Sequence, residues 1–277
     1  MKDFEFASNS NNTIIGGHMV KLTIVVPCYN EGTRIYRNLI EIITQTEKFC
    51  DSFRIIAVND GSSDETESEI KRAMTQDKRI RLISYPDNKG KGYAVKRGML
   101  VAKSEYVAFL DADLELPPYL LNGFLKKAEG ESDNASYSSS DSNVLNGYDI
   151  VIGSKMHPDS QVDYPLVRKL LSKGYYTLMK ILFGLNIRDT QTGIKLFNTE
   201  RIRPVLKQMK TNSFSFDVEI LAIASKMGLS IEEMPVVVNF SRNKSDKSKI
   251  RLMTIFEMFI DAIRIKMQVM KIKKVQA

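Results

Sequence analysis

From Leu22 onward the chain alternates between two rhythms of apolar residues. Short, largely β-branched runs come first: Leu22-Thr23-Ile24-Val25-Val26, Arg54-Ile55-Ile56-Ala57-Val58, Arg79-Ile80-Arg81-Leu82-Ile83, Tyr106-Val107-Ala108-Phe109-Leu110 and Tyr148-Asp149-Ile150-Val151-Ile152. Most of them stop at a proline, a glycine or an acidic turn, as buried strands do. Between the first two, Ile35, Leu39, Ile42 and Ile43 recur on one helix face. Between the second and third, Ser62-Ser63-Asp64-Glu65 has the S-x-x-E form of a capping box and predicts a helix start there. Strands alternating with helices predict βαβ units and an α/β domain with a mainly parallel sheet. Such sheets bind ligands beyond the carboxyl ends of their strands. Every acidic signature in this chain stands at such an end.

Three segments fall outside the alternation. Residues 1–20, rich in Ser, Asn, Thr and Gly, read as a loose tail, and Gly16-Gly17-His18-Met19 has the look of a cloning scar. Residues 129–147 are low-complexity, Ser-rich and acidic, and read as a mobile loop insertion before the fifth strand. The last segment, 250–277, predicts a basic amphipathic helix. There Leu252, Phe256, Phe259, Ile263, Met267 and Met270 recur at three- and four-residue steps, with Thr254, Glu257, Asp261, Arg264, Gln268 and Lys271 on the other side. One catalytic-sized domain, 21–249, lies between the tail and this helix.

Charge sharpens that division. The 277 residues carry 40 Lys and Arg against 33 Asp and Glu, a net +7. Residues 242–277 hold ten of the cations and three of the anions, so the remainder balances at 30 of each sign. A basic tail of this kind suits a membrane interface, and a nucleic-acid-binding surface spread over the body is excluded. No apolar run reaches the roughly 18 residues of a membrane span, and residues 6–20 lack the apolar stretch of a signal peptide. Cys28 and Cys50 sit in no metal-ligand spacing and read as reduced thiols of a cytoplasmic, peripherally membrane-associated protein.

Four segments carry candidate chemistry. Asp111-Ala112-Asp113 follows a strand directly, so both carboxylates can approach one hard divalent cation, or the pair can simply cap the helix near Pro117-Pro118. Asn59-Asp60-Gly61-Ser62-Ser63 is a turn whose Asp60 can accept from a base N–H. In Pro27-Cys28-Tyr29-Asn30-Glu31, Tyr29 can cover a base or fill a core, and Glu31 can reach a ribose. Asn88-Lys89-Gly90-Lys91-Gly92 has the composition of a phosphate cradle, yet Val95 stands where G-x-G-x-x-G needs its third glycine. G-x-x-x-x-G-K-[ST] is absent as well, which excludes the dinucleotide and P-loop readings.

In this order and spacing, the four segments resemble the family 2 glycosyltransferases of GT-A fold. The resemblance continues through Gly153-Ser154-Lys155, through Asp189-Thr190-Gln191-Thr192-Gly193 and its sequel Ile194-Lys195-Leu196-Phe197, and through Phe216-Asp217-Val218-Glu219-Ile220. That set is similar to the polyprenyl-phosphate branch, above all the dolichyl-phosphate β-glucosyltransferases. The resemblance implies a nucleotide diphosphate sugar, UDP-glucose first, held by Pro27, Tyr29, Glu31, Asp60, Lys89 and Asp111. It implies Mg²⁺ or Mn²⁺ on Asp111, Asp113 and Glu115, although Gln is common in the mannosyl relatives where Glu115 stands. For the phosphate of a dolichyl or other polyprenyl acceptor it implies Lys155, Arg168, Arg242 and Lys249. Lys155 replaces the usual Arg and so lacks its bidentate fork. A phosphate monoester with a second pKa of about 6 is already nucleophilic at neutral pH. Attack at the sugar C1 would invert an α-linked donor to a β-linked product, with Asp113 and Asp189 as catalytic residues. Asp189 either orients the acceptor or takes a residual proton. Mannosyl transfer from a GDP donor and a non-catalytic nucleotide-sugar binder are the alternatives.

Overall fold

A computed structural model describes residues 14–15, 18–131, 147–161, 166–238 and 252–272. Within the segment read as a loose tail, β1 (Ile14–Ile15) and β2 (His18–Met19) pair as a short antiparallel ladder. The Ser-rich insertion lies almost wholly outside the described residues. The five expected strands are present as β3 (Leu22–Cys28), β4 (Phe53–Asp60), β5 (Ile80–Tyr85), β6 (Tyr106–Leu110) and β7 (Ile150–Ser154). Two more, β8 (Ile194–Asn198) and β9 (Ile231–Pro235), escape an apolar-run search for different reasons. β8 carries a charge, Lys195, in its middle, and β9 is a half-buried edge strand reading Ile-Glu-Glu-Met-Pro.

The seven strands form one sheet in the order β5-β4-β3-β6-β8-β7-β9. Only β8 runs against the others: it is antiparallel to both β6 and β7. The expectation of a mainly parallel sheet therefore holds. Ile24 and Val25 of β3 point to opposite faces, and both are fully buried. This two-sided burial explains why the strands read as continuous apolar runs and not as alternations.

Helices cover both faces. On one side lie α1 (Ile35–Thr46), α2 (Thr66–Gln76) and α4 (Leu120–Glu129). On the other lie α3 (Lys91–Val101), α6 (Thr199–Gln208) and α7 (Phe216–Lys226). α5 (Leu166–Phe183) and α8 (Leu252–Met270) complete that second layer. α1 is rich in isoleucine, a mediocre helix former. What holds it is the face of Ile35, Leu39, Ile42 and Ile43, all of them buried, at about 1.5–3 kcal/mol for each side chain.

Two expectations need correction. The S-x-x-E motif does not cap α2, which starts at Thr66 with Glu65 before it and no side-chain cap. Instead Ser62 Oγ accepts from Asn30 N, while Asp64 accepts from Gly32 N and from Thr66 N. These polar groups tie the β3 and β4 loops together. The C-terminal helix is also not divided simply into an apolar and a polar side. Ala262, Ile265 and Val269 are buried against α5 and α7, and Asp261 and Gln268, expected on the free side, bond Ser215 and the Gln208 carbonyl. Ile263, Met267 and Met270 remain exposed.

α3 lies so close to the sheet that only glycine fits at its centre. A Cβ on Gly98 would stand 2.4 Å from Val25 Cγ1 and 3.1 Å from Val58 Cγ2. In an exposed helix Gly→Ala gains about 1 kcal/mol, whereas overpacking a full core costs about 1–3 kcal/mol. Gly98→Ala is therefore expected to lower the free energy of urea unfolding by about 1 kcal/mol. An unchanged or higher value would show that α3 can lift off the sheet freely.

Candidate active site

β4, β3 and β6 lie side by side and run in one direction. Whatever follows them in sequence therefore meets at one edge of the sheet. There the Pro27–Glu31 loop, Asp60 and the Asp111-Ala112-Asp113 turn line a cleft of about 400 Å³, together with Asn88, Gly90, Lys91 and Phe214. Tyr29 is 51% exposed, so it faces the cleft and fills no core. Two residues in these loops, Asn30 (φ 54°) and Leu114 (φ 51°), adopt left-handed backbone without being glycine. Leu114 has no polar side chain to ease that conformation, which costs about 1–3 kcal/mol and recurs at functional sites.

Asp60 is almost completely buried, and its two oxygens accept from Lys89 N at 2.8 Å and Gly90 N at 2.9 Å. It therefore clamps the Asn-Lys-Gly-Lys-Gly loop against the cleft floor. That clamp sends the two lysines of the motif in different directions. The Lys89 ammonium lies over the rings of Tyr85 and Tyr93, away from the cleft lining. Lys91 turns inward, and its Nζ stands 2.6 Å from Asp111 Oδ1. Burial disfavours the Lys91 charge, but Asp111, Asp217 and Asp113 outweigh it and raise the ammonium above its ordinary pKa.

The acidic turn is short of cations. Asp111 Oδ1 is buried and accepts no well-aligned hydrogen bond, so the nearby ammonium is its main compensation. Desolvation and the neighbouring Asp111 and Glu115 carboxylates push Asp113 above the usual carboxylate range. Two crowded carboxylates opening on a cleft fit a hard divalent cation, which needs only one or two from the protein when a diphosphate and water supply the rest. No third carboxylate, histidine or cysteine joins them at a common point among the described residues. Nor does the pair cap a helix, because α4 begins only at Leu120.

Glu115 belongs to a second cluster. Its Oε1 is 2.7 Å from Lys155 Nζ, and the Lys155 backbone N–H donates to Asp189 Oδ2 at 3.0 Å. The other Asp189 oxygen accepts from Gln191 N, and Glu233 accepts from Asp189 N. The segment after the acidic turn, the end of β7 and the loop before β8 are thus linked. Arg168 lies on α5 with only its backbone described, and Arg242 and Lys249 lie outside the described residues.

Beneath the cleft runs a layer of charge that sequence reasoning only partly anticipated. Lys195 is fully buried, donates to Asp217 Oδ1 at 2.5 Å and to the Thr192 carbonyl, and sits over the Phe109 ring. Burial raises the Asp217 pKa even though Lys195 and Lys91 pull it down. Glu219, also buried, accepts from Lys210 N and Thr211 N and so holds the loop that presents Phe214, 67% exposed, to the cleft. Lys91 could have been suspected from its motif. Lys195 stands in a motif of the resemblance, but nothing in the sequence identifies its partner, and Phe214 has no signal there at all.

A model of the family described as Glycosyl transferase family 2 matches residues 23–206. The chain is 32% identical over 260 residues to a dolichyl-phosphate beta-glucosyltransferase of Trichomonas vaginalis, covering 91% of this chain and 73% of that protein. It is also 32% identical over 246 residues to the Saccharomyces cerevisiae protein of that name, covering 83% and 69%. Among solved structures, it resembles the Mycobacterium tuberculosis glucosyl-3-phosphoglycerate synthase in complex with Mn²⁺, UDP-glucose and phosphoglyceric acid. The TM-score is 0.60 at 17% identity, over 92% of this chain and 81% of that one. A Pyrobaculum calidifontis mannosyltransferase in complex with GDP-mannose and Mn²⁺ gives 0.57 at 19%, over 88% and 64%. These likenesses establish the GT-A fold, and the chain is a glycosyltransferase that belongs to glycosyl transferase family 2.

Proposed function

We propose that this enzyme transfers glucose from UDP-glucose to dolichyl phosphate or a related polyprenyl phosphate, with inversion at the sugar C1. The observation that carries the reading is the cleft itself, where Asp111, Asp113 and Lys91 face one another beside the exposed ring of Tyr29. The names of relatives at 30–34% identity support the sugar and the lipid. A structural neighbour of the same fold that holds UDP-glucose and Mn²⁺ supports the donor class.

In this reading Tyr29 covers the base, Pro27 and Glu31 border the nucleoside, and Asp60 keeps the Lys89-Gly90 backbone in place. Asp111 and Asp113 would hold Mg²⁺ or Mn²⁺, which neutralises charge on the departing diphosphate. The Lys91 ammonium, already aimed at Asp111, serves the same phosphates. The acceptor phosphate is a competent nucleophile without a strong base. The task of the acceptor side is therefore to hold a dianion, and we assign it to Lys155, Arg168, Arg242 and Lys249. Asp189 fixes the Lys155 backbone and so orients that side. Glu115 meets Lys155 directly, which makes it the link between the two halves. In this reading α8, through its exposed apolar residues Ile263, Met267 and Met270, rests at the cytosolic surface of a membrane. No helix among the described residues is long and apolar enough to cross one.

Three measurements test this reading. With a short-chain polyprenyl phosphate, UDP-glucose should give more sugar-lipid than UDP-GlcNAc or GDP-mannose. EDTA should stop turnover, and Asp113→Asn should lower it by more than about a hundredfold, the worth of several kcal/mol of charge stabilisation. Better use of GDP-mannose, or full activity in EDTA, would overturn the proposal. The second test exploits Gly193, where a Cβ would stand 2.3 Å from Asp111 Oδ2. Gly193→Ala should cut turnover about a hundredfold, the penalty of an ångström of misplacement at a reacting centre, without lowering the thermal midpoint much. Normal turnover would remove Asp111 from the machinery. Third, Asp189→Asn puts an amide NH₂ where an acceptor is required, leaving one backbone N–H unmatched at about 1–3 kcal/mol. We expect kcat/KM for the acceptor to fall at least about tenfold while UDP affinity is unchanged. A loss of UDP affinity instead would place Asp189 on the donor side.

A further inference from the structure

A second cavity, about 270 Å³, opens where α5, α7 and α8 end together. Phe183, Val269 and Met270 form its apolar wall, and Ser225, Lys226 and Lys266 supply its polar groups. Neither lysine has an ion-pair or hydrogen-bond partner among the described residues. α7 leads away from the cleft, because its first turn holds Asp217 and its last holds Lys226. At about 1.5 Å per residue, Lys226 lies about 14 Å along α7 from Asp217 beneath the cleft, and the cavity shares no lining residue with that cleft.

The convergence of three helix C-termini could by itself explain cations here. Each end carries about half a negative charge, so about one and a half positive charges would satisfy all three. Lys180, Lys226, Lys266 and Lys271 bring four to this end of the layer. The surplus is positive, and it borders apolar surface. Ile263, Met267 and Met270, spaced by four and three residues, share one exposed face of α8 at 41%, 50% and 61% exposure. At the other end of that helix segment, Asp261 bonds Ser213 and Ser215, on either side of the exposed Phe214 at the cleft. An apolar line thus runs along α8 from the cleft towards a cavity whose two lysines are unpaired among the described residues.

We propose that this cavity binds the headgroup phosphate of an anionic phospholipid. The apolar face of α8 rests among the acyl chains, and the cleft is thereby turned to the leaflet that carries the acceptor. The proposal rests on the reading of α8 as a membrane-surface helix and names the lipid class that it selects. Charge complementarity favours this occupant over a second copy of the chain, whose equal cations would repel.

Flotation of the full chain tests it, using phosphatidylcholine vesicles with and without a minority of phosphatidylserine. Lys226→Gln with Lys266→Gln should weaken binding to the anionic vesicles about 30-fold, the effect of two lysines at about 1 kcal/mol each. Binding to pure phosphatidylcholine should be unchanged, and the double arginine variant should restore the anionic preference. Lys48→Gln with Lys78→Gln, exposed positions near the opposite edge of the sheet, should lose little. Equal losses from both pairs, or none from the first, would overturn the pocket in favour of diffuse charge. Free glycerol phosphate that binds the wild type but not the Lys226→Gln, Lys266→Gln variant, with flotation of both unchanged, would mean a site for soluble phosphates instead of lipid. Wild-type protein that floats with neither vesicle would refute the membrane helix and this proposal together. Because flotation requires no turnover, that result would leave glucosyl transfer standing.

Discussion

Everything at the cleft depends on compensating like charges that the fold forces together. Parallel strands deliver Asp60 and Asp111 to one edge of the sheet, and the turn after β6 adds Asp113. Left alone, these groups would repel one another. The protein answers with alternating charge: Asp111 against Lys91, Lys91 near Asp217, Asp217 against Lys195. A buried pair of this type contributes little net stability, but removing one partner strands the other at about 3–5 kcal/mol. The arrangement therefore specifies position more than it adds strength. The antiparallel strand of the seven-stranded sheet takes part in it. β8 enters between β6 and β7, and from there Lys195 reaches over the Phe109 ring to Asp217.

The same logic separates two halves of the site. Asp111 and Asp113, with Lys91 as resident cation, form a half suited to a diphosphate and its metal. Lys155, Asp189 and Glu233 form the other, built from the end of β7, the middle of β9 and the loop before β8. Glu115 crosses between them by pairing with Lys155, although it follows the acidic turn by only two residues. A glutamine at that position could offer a neutral contact. The glutamate commits to a cation, and the cation it finds is Lys155.

The legible part of this molecule was whatever repeats or stands at a strand end. Five strands, the α1 face and the Asp-Ala-Asp turn follow from apolar runs and their punctuation. β8 did not, because a run interrupted by Lys195 looks like a surface segment until Asp217, 22 residues later, is seen to neutralise it. The capping motif at Ser62 misled for a related reason. Its residue types suit a helix start, but Asn30 and Gly32 of a distant loop compete for the same oxygens and win. Lys89 and Lys91 are equivalent in sequence, and only the Asp60 clamp decides which one faces the cleft. Pairings across tens of residues are set by topology, and one sequence does not display them.

α8 shows how a periodic pattern can be correct in its rhythm and still incomplete. Its apolar positions occupy more of the circumference than one interface requires. Ala262, Ile265 and Val269 face the body, and Ile263, Met267 and Met270 face away. A helix that only capped the domain would have polar residues on that outer face, since burying a methionine side chain gives about 1.5–3 kcal/mol that exposure forfeits. Asp261 and Gln268 fix its rotation by bonding Ser213, Ser215 and the Gln208 carbonyl. With the rotation fixed, the outer stripe cannot turn inward. Its apolar surface must meet water or another apolar phase, and the enzyme's proposed acceptor resides in one.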